Sequence, residues 1–168
     1  MGLNPKIKSR LTTINKVIEI AAWAILLAIW IVTLLNYSSL PNKIPIHFNP
    51  EGVADGFSGK VSILIWPALA TVLCIGLTLL ARLPHIFKYP IEITQENAAT
   101  LYARTSKTAG YISLTIVMAI GLAQLNMIHF AIGETDKLWP FSPIAFALIF
   151  IPLILFLSRL FRRGSQNR

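Results

Sequence analysis

Four apolar stretches, at residues 17–35, 62–81, 109–132 and 143–160, fill most of this 168-residue chain. Each approaches or exceeds the roughly 18–20 apolar residues that cross a hydrocarbon core about 30 Å thick. Water-soluble domains do not carry several such runs. Only 13% of the residues are charged, against about 25% in an ordinary soluble domain. The expected class is therefore all-α membrane: a four-transmembrane-helix bundle forming a single membrane domain over residues 1–168. Residues 36–61 then form an outer loop and residues 82–108 a cytoplasmic one.

The net charge of +8 would suggest nucleic acid in a soluble protein, but the positions of the cations point to a bilayer. Lys6, Lys8, Arg10 and Lys16 precede the first span, and Arg82, Lys88, Arg104 and Lys107 lie between the second and third. Arg159, Arg162, Arg163 and Arg168 follow the fourth, whereas only Lys43, Lys60 and Lys137 fall in the other two loops. Twelve against three is a positive-inside bias that places both termini in the cytoplasm of a multi-pass plasma-membrane protein. Anionic cytoplasmic lipid, and no nucleic acid, is the expected partner of these cations. The first span is too long for a signal-peptide core and no small-x-small cleavage site follows Leu35, so it reads as retained. Cys74 is the single cysteine, so no intrachain disulfide can form, and it reads as a small apolar packing residue.

Within the spans, Glu19 stands about one turn from the cytoplasmic end, where it can snorkel to the interface or meet Lys16. Tyr37, Trp66 and Trp139 fit an aromatic belt on the outer side. Pro67 falls in the first turn of span two, where a missing N–H costs nothing, and Pro152 should kink span four. In span three, Thr108, Thr115, Asn126 and His129 share one stripe, and Gly110, Ser113, Gly121 and Gln124 share its neighbour. Small and amide residues mark a face packed on other helices. That side is expected inside the bundle, with Ile116, Ile120 and Met127 turned toward lipid or less crowded neighbours. The polar residues Gln124, Asn126 and His129 serve either as interhelical contacts or as the wall of a polar path. Before this span, Thr94 reads as an N-cap with Glu96 in the first turn. Ala98, Leu101, Tyr102, Thr105 and Ala109 follow helical spacing, so span three should begin as a helix in the cytoplasm.

The outer loop differs in composition from everything else. Ile44, Ile46 and Phe48 alternate with Lys43, Pro45, His47 and Asn49, the period-two pattern of a short edge strand. Asn49-Pro-Glu-Gly and Asp55-Gly-Phe-Ser-Gly read as turns, with Gly52, Gly56 and Gly59 available for positive φ. The loop should fold as a small extracytoplasmic strand-and-turn cap with His47 and Asn49 on one side of the strand. Asn49, Asp55 and Lys60 are expected to hold its shape. His47, with His129 at the outer end of span three, is expected to face a shared polar hollow.

The string Leu-Pro-x-x-Ile-Pro-x-His-Phe-Asn-x-x-Gly-x-x-Asp-Gly-x-x-x-Lys, on Leu40, Pro41, Ile44, Pro45, His47, Phe48, Asn49, Gly52, Asp55, Gly56 and Lys60, resembles the signature of the domain of unknown function 1648. That family includes the N-terminal region of immunity proteins against the sporulation-delay killing toxin. A second resemblance covers residues 89–98, a Pro-then-Thr-x-Glu-Asn stretch, with Tyr102 following. Together the two extend over residues 20–110. The resemblance implies a membrane protein with an immunity-like role and names no reaction.

The residues themselves leave three functions open. The first is recognition or sensing of a peptide, lipid or envelope component through His47, Asn49, Gly52, Asp55 and Lys60, with a cytoplasmic protein as the partner of the inner helix. The second is a membrane enzyme, including a metal-dependent hydrolase, using His47 and Asp55. His47, Asp55, His129, Glu134 and Asp136 could all lie on the outer side, but they lack any metal-binding spacing, and no nucleophile-elbow pattern accompanies Ser38, Ser39 or Ser58. No cofactor is implied. The third is a transporter or channel component, against which stands the absence of repeated halves or a span broken in its middle.

Overall fold

A computed structural model describes residues 12–49, 51–87, 89 and 93–134, together with Ala147, Phe150, Ile151 and Ile154. Three long helices and one hairpin make up the described chain. Helix α1 is Thr13–Asn36, strands β1 and β2 are Lys43–Phe48 and Ala54–Gly59, helix α2 is Ile65–Arg82, and helix α3 is Gln95–Ala131. A 3₁₀ segment, Lys60–Leu64, leads into α2, and a shorter one, Pro84–Ile86, follows it. Eighteen-residue stretches with mean hydropathies of 2.4, 2.3 and 1.7 lie in α1, in Lys60–Arg82 (α2 with the 3₁₀ segment before it) and in α3, and each of the three is long and apolar enough to cross a membrane. The predicted fourth span, with Pro152, and the belt residue Trp139 lie outside the described residues, apart from the four named above.

The ends of the helices follow local chemistry. Helix α1 starts four residues before the expected position because the Thr12 hydroxyl accepts from the Asn15 N–H. Thr94 caps α3 as the sequence suggests, and Asn97 answers it from the N3 position by accepting from the Thr94 N–H. From there α3 runs unbroken for 37 residues, about 55 Å at 1.5 Å per residue. That is nearly twice a hydrocarbon core, so a third or more of α3 must stand outside one. At its other end Gly133 adopts φ 80°. The Gly133 and Glu134 N–H groups bond back to the Phe130 and His129 carbonyls, a Schellman closure that only glycine enters without strain.

The burial pattern is inside-out relative to a soluble bundle. Val17, Ile20, Leu27 and Leu35 of α1 and Ile65, Val72 and Leu79 of α2 are exposed, as lipid-facing residues should be. About a quarter of the apolar window is buried in α1 and α2 but half of it in α3, so α3 is the central element. Ala22, Leu26, Ile29, Ala70, Cys74, Val117 and Ile120 form the main core, and Leu40, Ile44, Ile63, Met127 and Ile128 a second one beneath the hairpin. Ile120 and Met127 are therefore in the core, where the stripe argument expects lipid or less crowded neighbours, because α3 packs on two neighbours and buries more than one face.

Association in lipid depends on close approach and interhelical hydrogen bonds, since lipid is as apolar as the core. A Cβ on Gly121 would lie 3.1 Å from the Ile29 side chain, and one on Gly110 would lie 3.3 Å from Ile18, so the two glycines set the α1–α3 spacing. Ser113 donates to Cys74 Sγ and Ser106 to the Ala81 carbonyl, both joining α3 to α2. Trp30 Nε1 donates to Thr71 Oγ1 between α1 and α2. Glu19 pairs with Arg82 at 2.7 Å and thus takes a partner 63 residues away rather than Lys16. These contacts place the N-terminal end of α1, the C-terminal end of α2 and the Ser106 region of α3 together, and the hairpin at the opposite end.

Candidate functional site: the hairpin

The expected single strand with two turns is a two-stranded antiparallel sheet. Asp55-Gly-Phe-Ser-Gly, read above as a turn, is most of β2, and the register pairs Lys43 with Gly59, Ile44 with Ser58, Pro45 with Phe57 and His47 with Gly56. The glycines explain the misreading. Gly52 alone among the hairpin glycines takes positive φ, 77°, in the turn where Asn49 Oδ1 accepts from the Val53 N–H and the Gly52 N–H bonds to the Asn49 carbonyl. Gly56 serves space instead: a Cβ there would lie 2.9 Å from His47 Cβ. Irregularities on either side of His47 break the strict alternation, which is why Ile44 and Pro45 are buried while Ile46 is exposed.

The hairpin sits on the bundle through β1. Ile44 is fully buried against Ile63, Met127 and Ile128. Phe48 meets Phe130 edge to face, with ring centroids 5.2 Å apart. The strand preceding the site is thus anchored to the last turns of α3.

Opposite that anchor, His47 Nδ1 and Asp55 Oδ1 approach to 2.5 Å across the two strands. Both side chains remain open to solvent, 70% and 46% exposed. With Nδ1–H donating to the carboxylate, the neutral ring keeps Nε2 as its acceptor; when protonated, it offers Nε2–H as a donor. An exposed pair contributes only about 0.2–1 kcal/mol to folding, so its main consequence is to orient the imidazole. Exposed Ile46, Val53 and Phe57 lie on the same two strands or the turn between them, giving a polar pair within an apolar surface.

The other predicted site residues are distributed more widely. Asn49 and Gly52 build the turn. Lys60 does not pair with Asp55; its Nζ lies 5.1 Å from the centroid of the Tyr37 ring, and its N–H closes the hairpin on the Asn42 carbonyl. His129 has Glu134 as its own carboxylate at 3.5 Å, so the two histidines are engaged separately. Among the described residues no group of three His, Cys, Asp or Glu side chains could hold a metal ion, and Asp136 lies outside them.

The two polar stripes of α3 part company. Thr108, Thr115 and Asn126 each donate to the carbonyl four residues back on their own helix. Gln124, 1% exposed, instead reaches both other helical segments: Nε2 donates to Thr33 Oγ1 at 2.9 Å and to the Ile63 carbonyl at 3.0 Å. In a regular helix the Ile63 carbonyl would meet an N–H at position 67, where Pro67 has none. Gln124 fills that place from another helix, so the proline that seemed free of cost has a partner the sequence does not advertise.

A family model described as "Domain of unknown function (DUF1648)" matches residues 24–71. An uncharacterized protein of Archaeoglobus fulgidus is 36% identical over 70 residues, a match that covers 37% of this chain and 38% of that protein. The chain thus spans little more than a third of the length of the curated relative it matches. No solved structure matches the chain. The family match begins within α1, takes in the whole hairpin and ends within α2, leaving the second resemblance around residues 89–102 outside it. The segment from residue 24 to residue 71 is similar throughout to the domain of unknown function 1648, the family that the outer-loop residues suggest.

Proposed function

We propose that this chain is a small multi-pass protein of the plasma membrane that acts by binding. Its hairpin, Pro45 to Lys60, faces outward and recognises a peptide, lipid or envelope component, as in toxin-immunity-like recognition. The His47–Asp55 pair is the polar contact, and both termini lie in the cytoplasm. Helix α3 passes the bound state to its inner end, Thr94 to Lys107, where a cytoplasmic protein reads it. One observation carries the proposal: an exposed, oriented imidazole–carboxylate pair stands on a hairpin whose other face is packed on the end of a single unbroken helix. A continuous helix can transmit a small shift or rotation.

The test is disulfide cross-linking in Cys74→Ala chains that carry Leu101→Cys, half-buried near the start of α3, together with a second engineered cysteine in the Pro84–Ile86 segment that packs on α3. With His47→Ala or Asp55→Ala, the cross-linking yield should change while protein abundance stays constant, because the pair contributes little to stability. Unchanged yield at constant abundance overturns the transmission reading. Loss of the protein itself assigns the pair to hairpin structure.

A further inference from the structure

At the end of the bundle away from the hairpin, all three helices contribute polar side chains to one small cavity. It measures about 20 Å³ and is lined by Asn15 and Glu19 from α1, Thr78 from α2, and Ser106, Gly110 and Ser113 from α3, among others. Asn15 is 7% exposed. The Asn15 amide oxygen accepts from the Thr12 hydroxyl at 3.0 Å, and its Nδ2 has no hydrogen-bond partner among the described residues. A buried amide donor left unmatched is costly, and native structures rarely tolerate one.

The groups around that donor specify what it takes. The Ser106 hydroxyl proton is given to the Ala81 carbonyl and that of Ser113 to Cys74 Sγ, so both oxygens retain lone pairs only. Glu19 Oε1 is engaged by Arg82, and Oε2 is left as an acceptor. The cavity therefore offers one N–H donor and several acceptors. A cation is disfavoured by the amide N–H and by Arg82, a small anion by Glu19, and anything larger than a few atoms by volume. A water molecule needs roughly 10–15 Å³ and about three hydrogen bonds to stay buried.

We propose that this cavity is a binding site for one structural water, which accepts from Asn15 Nδ2 and donates to Glu19 and to the hydroxyl oxygen of Ser106 or Ser113. The water joins α1 to α3 beside the Glu19–Arg82 pair. Its occupancy depends on the seating of α3 against α1, and the site itself follows from the residues that line it, without reference to what the hairpin recognises.

The experiment is water-selective NMR on the full chain in lipid nanodiscs, with ¹⁵N label in the Asn and Gln side chains. Asn15→Ser identifies the Asn15 amide by loss of its signal, and Gln124, whose Nε2 already has two protein acceptors, is the internal control. A cross-peak from long-lived water to the Asn15 amide protons, with none to Gln124, is expected. Absence of a cross-peak at Asn15 overturns the site. Equal cross-peaks at Asn15 and Gln124 also overturn it, because they describe a generally wet bundle.

Discussion

Replacing Gln124 by Leu removes a hydrogen bond to Thr33 and another to the carbonyl that Pro67 leaves open. Interhelical hydrogen bonds in membranes average about 0.6 kcal/mol and reach about 1.7 kcal/mol. Leaving the Ile63 carbonyl unmatched adds about 1–3 kcal/mol. Against this, leucine removes the Gln124 Oε1, which is buried with no hydrogen-bond partner among the described residues, and so recovers part of the loss. The net destabilisation should be about 1–3 kcal/mol. The specific consequence lies in a double-mutant cycle. Pro67→Ala restores an N–H at the position that faces Ile63, so Gln124→Leu should cost about 1 kcal/mol less in a Pro67→Ala background than in the native chain. Reversible unfolding in mixed micelles, with detergent titration monitored by tryptophan fluorescence, measures all four corners. Additivity within about 0.3–0.5 kcal/mol, the usual result for independent sites, would refute the idea that Gln124 substitutes for the proline.

Other substitutions test other parts of the structure. Gly56→Ala places a methyl group 2.9 Å from His47 Cβ and should cost about 1–3 kcal/mol through overpacking, read as faster proteolysis within residues 43–60. Gly121→Leu forces a far larger group onto Ile29 and should separate α1 from α3, lowering the yield of an engineered disulfide between them. Glu19→Gln breaks an ion pair that is partly exposed, with Arg82 58% open, so the change should stay below about 1 kcal/mol. Tyr89 is half-buried by the connector before α3, where it lies within hydrogen-bonding distance of the Pro84 carbonyl and Thr105 Oγ1; desolvation by burial raises its pKa above 10.0. The folded state then holds this proton more tightly than the unfolded one. Its stabilisation is fully present below pH 10 and is lost as pH rises through the folded value, a decline that Tyr89→Phe should remove in alkaline unfolding curves.

Features set by neighbouring residues were readable from the chain. The apolar runs became α1, α2 and α3 because each is long enough to be a helix wherever it packs, and Thr94 had its capping partner three residues away. Features set by distant partners were not. Nothing local to Glu19 points to Arg82, and nothing local to Gln124 points to Thr33 or Ile63, 91 and 61 positions away. The hairpin shows the boundary between the two cases. Asn49 and Gly52 announce a turn by composition, but Gly56 looks like another turn residue until His47 is seen against it. Lys60 stands five positions from Asp55 yet packs on Tyr37, since the strand carries Asp55 toward His47 instead. Ile120 and Met127 show the same dependence, because a central helix buries faces that an isolated stripe assigns to lipid or less crowded neighbours.

The proposed account requires the hairpin and the start of α3 to lie on opposite sides of a membrane. Cysteine labelling in intact cells tests this directly. In a Cys74→Ala background, Glu51→Cys at the exposed hairpin turn should react with a membrane-impermeant maleimide added from outside. Thr100→Cys, exposed on the first turns of α3, should react only after the cells are permeabilised. Labelling of both positions from the same side would contradict the account.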